Sequence, residues 1–178
     1  PILGLALALS ATPVLAEEDT KAVTVSGSAT VVSDYRFRGI SQSDKRFALQ
    51  GSITVAHESG FYASVWGSSI DDYITSPLNT PGADAELDLI GGYKKSFGDT
   101  TVDVGVLYYY YPGKTGFANT DFIEPYIGVS QAVGPVTAKV SMAYAPKQKA
   151  LSFANPKDDN LYGALDLSGS LGETGVGV

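Results

Sequence analysis

From Asp34 to Arg38 the chain reads Asp-Tyr-Arg-Phe-Arg, so one carboxylate and two guanidinium groups recur at every second position. Alternate residues of a strand share a face. On that reading Asp34, Arg36 and Arg38 make one charged face, with Tyr35 and Phe37 on the face behind it. Two neighbouring guanidinium groups suit the grip of a carboxylate or phosphate through paired N–H donors. The plainer alternative is that they pair with Asp34 and with acids on adjacent strands. Further charges stand at polar positions of other alternating segments: Glu86, Asp88, Lys94, Asp103, Glu124, Lys139 and Asp166. Together with the first three they make four cations and six anions. Such a set can bias ion passage along a wall, or it can neutralise itself and hold a fold in shape.

The remaining chemistry is sparse. His57 is the single histidine and lies on the apolar side of its segment, next to a turn. A hydrolase would set a histidine beside a serine or an acid, and no such setting is legible, so no enzyme activity is expected. Cysteine is absent, which excludes disulfides, thiolate metal sites and a thiol nucleophile. The acids Asp71, Asp72, Asp84, Asp158 and Asp159 match no calcium-loop spacing and read as solvated loop charge. No metal and no cofactor are expected.

The elements that carry these charges repeat with period two. Val23, Val25, Gly27, Ala29 and Val31 share a face with Tyr35 and Phe37, against Thr24, Ser26, Ser28 and Thr30. Leu49, Ile53 and Val55 oppose Gln50, Ser52 and Thr54, and Leu87, Leu89 and Tyr93 oppose Glu86, Asp88 and Lys94. Val102 to Tyr110, Ile123 to Val129, Val136 to Tyr144 and Leu161 to Leu167 continue the pattern. The segment Phe61–Ile70 leaves its facing open, because Phe61, Ala63 and Val65 compete with Tyr62, Trp66 and Ile70. Eight strands are expected, of the roughly 9–11 residues that a tilted membrane-crossing strand needs. Tight turns at 58–60, 97–100, 133–135 and 172–175 alternate with long loops at about 39–46, 72–84, 112–120 and 146–159. That sorting of connections by length belongs to an outer-membrane barrel, with short periplasmic turns and longer outer loops. A lipocalin-like barrel or a sandwich in the periplasm is the alternative.

Composition agrees with export. The 178 residues are 44% hydrophobic and only 17% charged, with a formal net charge of -7 and a mean hydropathy of +0.05. A pI near 4.5 excludes nucleic acid as an expected partner, since phosphate binding needs basic surface. Residues 1–16, ending in Val14-Leu15-Ala16, have the apolar core and small-residue end of a signal peptide whose basic start is missing. Residues 17–178 are then an all-β, antiparallel transmembrane β-barrel, seen as an N-terminal fragment with about eight strands visible and more expected beyond.

"YRFRGISQSD" (35–44), "LQGSITVAHESGFYASVWGS" (49–68) and the strand start Glu86-Leu87-Asp88 resemble the TorF-type porins, also catalogued as the Gcw_chp family of proteobacterial outer-membrane proteins. The likeness spans most of residues 17–178 and is most specific over 33–68. It implies an outer-membrane barrel with a porin-like role and names no substrate and no catalytic residue. The expected function is passive diffusion of small hydrophilic solutes; a non-conducting structural or surface-interaction barrel is the alternative. Asp34, Arg36, Arg38, Glu86, Asp88, Asp103, Glu124, Lys139 and Asp166 are expected to line the lumen. Tyr35, Phe37, Tyr93, Tyr108, Tyr110 and Tyr144 are expected in aromatic girdles. The expected partners are outer-membrane lipid, lipopolysaccharide and the solutes, in the bacterial outer membrane, with the oligomeric state left open.

Overall fold

A computed structural model describes residues 22–71, 82–113, 120–148, 150 and 159–169. Its strands are β1 (Val23–Val32), β2 (Arg36–Phe37), β3 (Ile40–Ser41), β4 (Ala48–His57), β5 (Phe61–Ser69), β6 (Ala85–Phe97), β7 (Thr100–Tyr110), β8 (Phe122–Val133), β9 (Val136–Ala145) and β10 (Asn160–Gly169). The eight long strands form one antiparallel sheet in the order β1-β4-β5-β6-β7-β8-β9-β10. This is the expected all-β meander, and no α-helix occurs among the described residues. The sheet is open there: β1 pairs only with β4, and β10 only with β9. Its edges do not meet to close a barrel.

Register follows from the alternation. Ile53, Val65, Leu89, Tyr108 and Ile123 stand opposite one another across β4 to β8. A slip of one residue would carry a strand's whole apolar set to the other face. The same register resolves the facing of β5, with Phe61, Ala63 and Val65 on the apolar face and Tyr62 and Trp66 on the polar one. Burial is reversed relative to a water-soluble fold. On the apolar face Val25 is 70% exposed and Leu165 66%, whereas on the polar face Glu86 is 1% exposed and Glu124 2%.

Tight turns join β4 to β5, β6 to β7 and β8 to β9. Each carries a glycine at positive φ: Gly60 at 104°, Gly98 at 60° and Gly134 at 60°. The long connections all leave from the other end of the sheet. The alternation of short and long connections is therefore present; the turn at 172–175 lies outside the described residues.

One element departs from expectation. β1 does not run on to Arg38 but ends at Val32, and residues 34–43 fold into a small hairpin built on β2 and β3. Phe37 pairs with Ile40 across a two-residue turn, in which Arg38 (φ 50°) and Gly39 (φ 86°) both have positive φ. That conformation matches strand twist in tight hairpins and is rare for arginine. Residue parity along a continuous strand therefore does not hold for Asp34 to Arg38.

The hairpin lies over the polar, concave face, where it touches strands all along the sheet. Tyr35 meets Trp66 of β5 edge-on at 5.4 Å, and Phe37 meets Tyr109 of β7 at 5.5 Å. Tyr109 in turn stacks on Phe122 of β8 at 4.1 Å. Tyr109 and Phe122 join Ile70, Ala83, Tyr111 and Ala145 in the buried cluster at the long-loop end, and Tyr35 and Phe37 pack against it. The core sits inside the curve of the sheet, beneath the hairpin.

Candidate functional site

Arg38 at the hairpin tip organises the upper half of the concave face. Its Nη2 donates to Oε2 and Oε1 of Glu124 at 2.6 and 2.8 Å. Its Nη1 donates to Oδ1 of Asn160 at 3.4 Å. The guanidinium lies between two rings, 4.7 Å from the centre of Phe37 and 4.2 Å from that of Tyr162. A residue placed six positions after β1 thereby grips β8 and β10. Glu124 also accepts from the Tyr109 hydroxyl at 3.1 Å. A buried ion pair holds only when its remaining lone pairs are satisfied in this way.

The rest of the hairpin is fastened from within. Asp34 accepts from Ser41 Oγ at 2.5 Å and from Arg36 Nε at 2.7 Å. The Ser41 hydrogen bond, helped by the Arg36 charge, holds its carboxyl below the usual range against some desolvation. Arg36 also donates to the Gly39 carbonyl at 2.9 Å, which secures the turn. Tyr35 donates its hydroxyl to Glu86 Oε1 at 3.0 Å. Burial first, and then the charge of Glu86, push that hydroxyl far above its ordinary pKa, so it remains a donor. Glu86 Oε2 and Asp88 Oδ1 are buried without a hydrogen-bond partner.

The lower half is built differently. Tyr62, Gly92, Gly105 and Tyr126 form one cross-strand row over β5 to β8. A Cβ on Gly92 would sit 2.6 Å from the Tyr62 ring, and one on Gly105 would sit 2.6 Å from the Tyr126 hydroxyl. The two glycines thus leave the space in which the rings lean toward each other and bond hydroxyl to hydroxyl. Tyr62 also donates to Asp103 Oδ1 at 2.7 Å, and Lys94 Nζ lies 3.4 Å from Asp103. A cavity of about 800 Å³ is lined by Arg36, Phe37 and Arg38, by this tyrosine row, and by Lys94, Asp103 and Lys139.

The expected site residues divide accordingly. Glu86, Asp88, Asp103, Glu124, Lys139 and Asp166 all share the concave face of the sheet. Arg36 and Arg38 reach the cavity from the hairpin, while Asp34 is bound inside the hairpin itself. Tyr93, Tyr108, Tyr110 and Tyr144 lie on the apolar face, in register with Phe61, Leu89, Leu87 and Leu161. Tyr35 and Phe37 do not join them. They were expected to extend the apolar face of β1, and they pack instead on Trp66 and Tyr109, because the chain turns inward after Val32.

Among the loop acids, Asp71 is bonded to the Arg46 side chain and Asp159 accepts from the Tyr144 hydroxyl. Asp72 and Asp158 fall outside the described residues. Among the described residues no cluster of His, Asp and Glu is arranged to hold a metal ion.

Sequence reasoning missed the hairpin and the tyrosine row. The available signal for the first was a residue pair, Arg38-Gly39, flanked by two short apolar-polar segments; for the second it was inward tyrosines standing opposite inward glycines. Taken together, fold and site define an antiparallel sheet that exposes the apolar residues of one face and encloses Glu86, Asp88 and Glu124 on the other. The chain matches, over residues 16–178, the model of a family described as bacterial protein of unknown function (Gcw_chp), and it belongs to that family. No curated protein and no solved structure matches it.

Proposed function

We propose that this chain forms the wall of an outer-membrane β-barrel of the TorF-type porin kind, through which small hydrophilic solutes diffuse passively. The observation that carries this reading is the reversed burial of the sheet. Across eight strands the exposed face is valine, leucine, isoleucine and aromatic, while Glu86, Asp88 and Glu124 are enclosed. Exposed apolar patches of soluble monomers stay within about 300–600 Å², whereas lipid favours such a face. Phe61 and Tyr93 at one end of that face, and Tyr108, Tyr110 and Tyr144 at the other, suit the two aromatic girdles of a membrane barrel. Backbone groups in lipid must all be paired, so β1 and β10 find partners when the barrel closes.

In this reading residues 1–16 direct export, the tight turns face the periplasm and the long loops face lipopolysaccharide. The concave face lines the solute path. The hairpin narrows that path at its outer end, and wall charge biases what passes; no cofactor or energy source takes part. The Arg38 brace across the concave face favours a second reading, a barrel that is plugged and serves as a structural or surface-contact element. Single-channel recording of the refolded full-length protein separates the two. Steady open steps, with ion selectivity shifted by Arg36→Gln, are the outcome expected of a channel. Silent bilayers from protein shown to be inserted and folded would leave the plugged barrel.

A further inference from the structure

The cavity wall has the opposite charge balance to the protein as a whole. The chain carries a formal net charge of -7, yet the charged groups lining the cavity are Arg36, Arg38, Lys94 and Lys139 against Asp103 and Glu124. Both acids are engaged, Glu124 by Arg38 at 2.6 Å and Asp103 by Lys94 at 3.4 Å. Arg36 is held by Asp34. Lys139 differs from these three. Asp166 stands opposite it across β9 and β10, but among the described residues no carboxylate comes within 4.0 Å of its ammonium.

The rest of the wall is mostly ring and aliphatic. Leu107 and Ile90 line the cavity together with Phe37, Tyr62, Tyr126 and Tyr162. A small inorganic ion would exchange its hydration for such a surface at a loss. A ring or short apolar body would gain from it, and a cavity of about 800 Å³ falls within the size range of small-molecule sites. Fixed positive charge beside a low-dielectric wall concentrates anions.

We propose that the cavity is a binding site for small organic anions. Their carboxylate is taken by Lys139 and their apolar body lies against the tyrosine row. The inference rests on the channel reading for its biological meaning, since it names the solute class that the path favours. It departs from a path for hydrophilic solutes in general.

Titration calorimetry on the refolded full-length protein in detergent tests it with three probes of one shape: benzoate, benzyl alcohol and benzylammonium. Benzoate is expected to bind saturably, at least tenfold more tightly than the other two. Lys139→Gln should weaken it on the order of tenfold, the loss of one charge-assisted contact. Lys95→Gln, which changes a lysine on the opposite face of β6, should leave it unchanged. Benzylammonium binding as tightly as benzoate, or benzoate binding unaffected by Lys139→Gln, would overturn the site.

Bilayer recording in a potassium benzoate gradient separates the two claims. Protein that binds benzoate through Lys139 but never conducts supports the site and removes the channel. Channels that prefer potassium, formed by protein that does not bind benzoate in calorimetry, keep the channel and overturn the site.

Discussion

The two halves of the concave face solve the same problem with different materials. At the long-loop end an inserted hairpin fills the curve, and buried charge is stabilised by direct pairing, Arg38 to Glu124 and Tyr35 to Glu86. At the tight-turn end nothing is inserted among the described residues. There two tyrosines lean over two glycines, and the ion pair of Lys94 with Asp103 leaves its lysine more than half exposed. The upper half is a packed layer beneath the hairpin, held by a few buried polar contacts, and the lower half is a shallow layer of side chains over open space. Polar contacts with little water around them should dominate the energetics of the first, and steric fit those of the second.

The most severe way to break the contrast is Arg38→Ala. It leaves Glu124, 2% exposed, without its cation, and truncating one partner of a buried pair costs about 3–5 kcal/mol. Urea unfolding of the refolded protein should register that loss. The double variant Arg38→Met with Glu124→Leu should recover most of it, because no charge is then stranded. A loss below about 1 kcal/mol for Arg38→Ala would mean that the hairpin is not held by this pair.

Gly92→Val probes the lower half. Its added Cβ meets the Tyr62 ring and hydroxyl, and overpacking of this kind costs about 1–3 kcal/mol. The same variant combined with Tyr62→Ala should be milder than Gly92→Val alone, a rescue that a purely backbone effect would not give.

Lys94→Ala should do least, about 0–1 kcal/mol, because a half-exposed ion pair gains little over water. A larger loss would erase the distinction between the two halves.

The pH dependence of the hairpin sharpens the comparison further. Asp34 has its carboxyl pKa lowered from 3.8, so its contribution is complete above that value. It disappears as the pH falls through the lower folded-state pKa. Trp66, the single tryptophan, packs edge-on against Tyr35 and reports on the hairpin by its emission. Comparing acid titrations of the wild type and Asp34→Asn isolates this carboxyl from the other acids, and identical curves would rule out its role.

Sequence alone accounts for the eight long strands, the facing of all of them but β5, and the alternation of short and long connections. Those properties depend on period-two patterning and on glycines at turns, which are local. It also placed Glu86, Asp88, Asp103, Glu124, Lys139 and Asp166 together on the polar face, because side-chain parity follows from the pleat alone. Tertiary structure decided where Asp34 to Arg38 go. An alternating string of charged and aromatic residues satisfies a strand and an inserted hairpin equally well at the local level. What selects the hairpin is the set of partners that β5 to β10 bring together: Trp66, Glu86, Tyr109, Glu124 and Tyr162. None of these lies within 25 residues of Arg38 in the chain. Only the curve of the sheet makes them neighbours, and only there does the half-buried Arg38 guanidinium find two carboxylate oxygens and two aromatic faces at once.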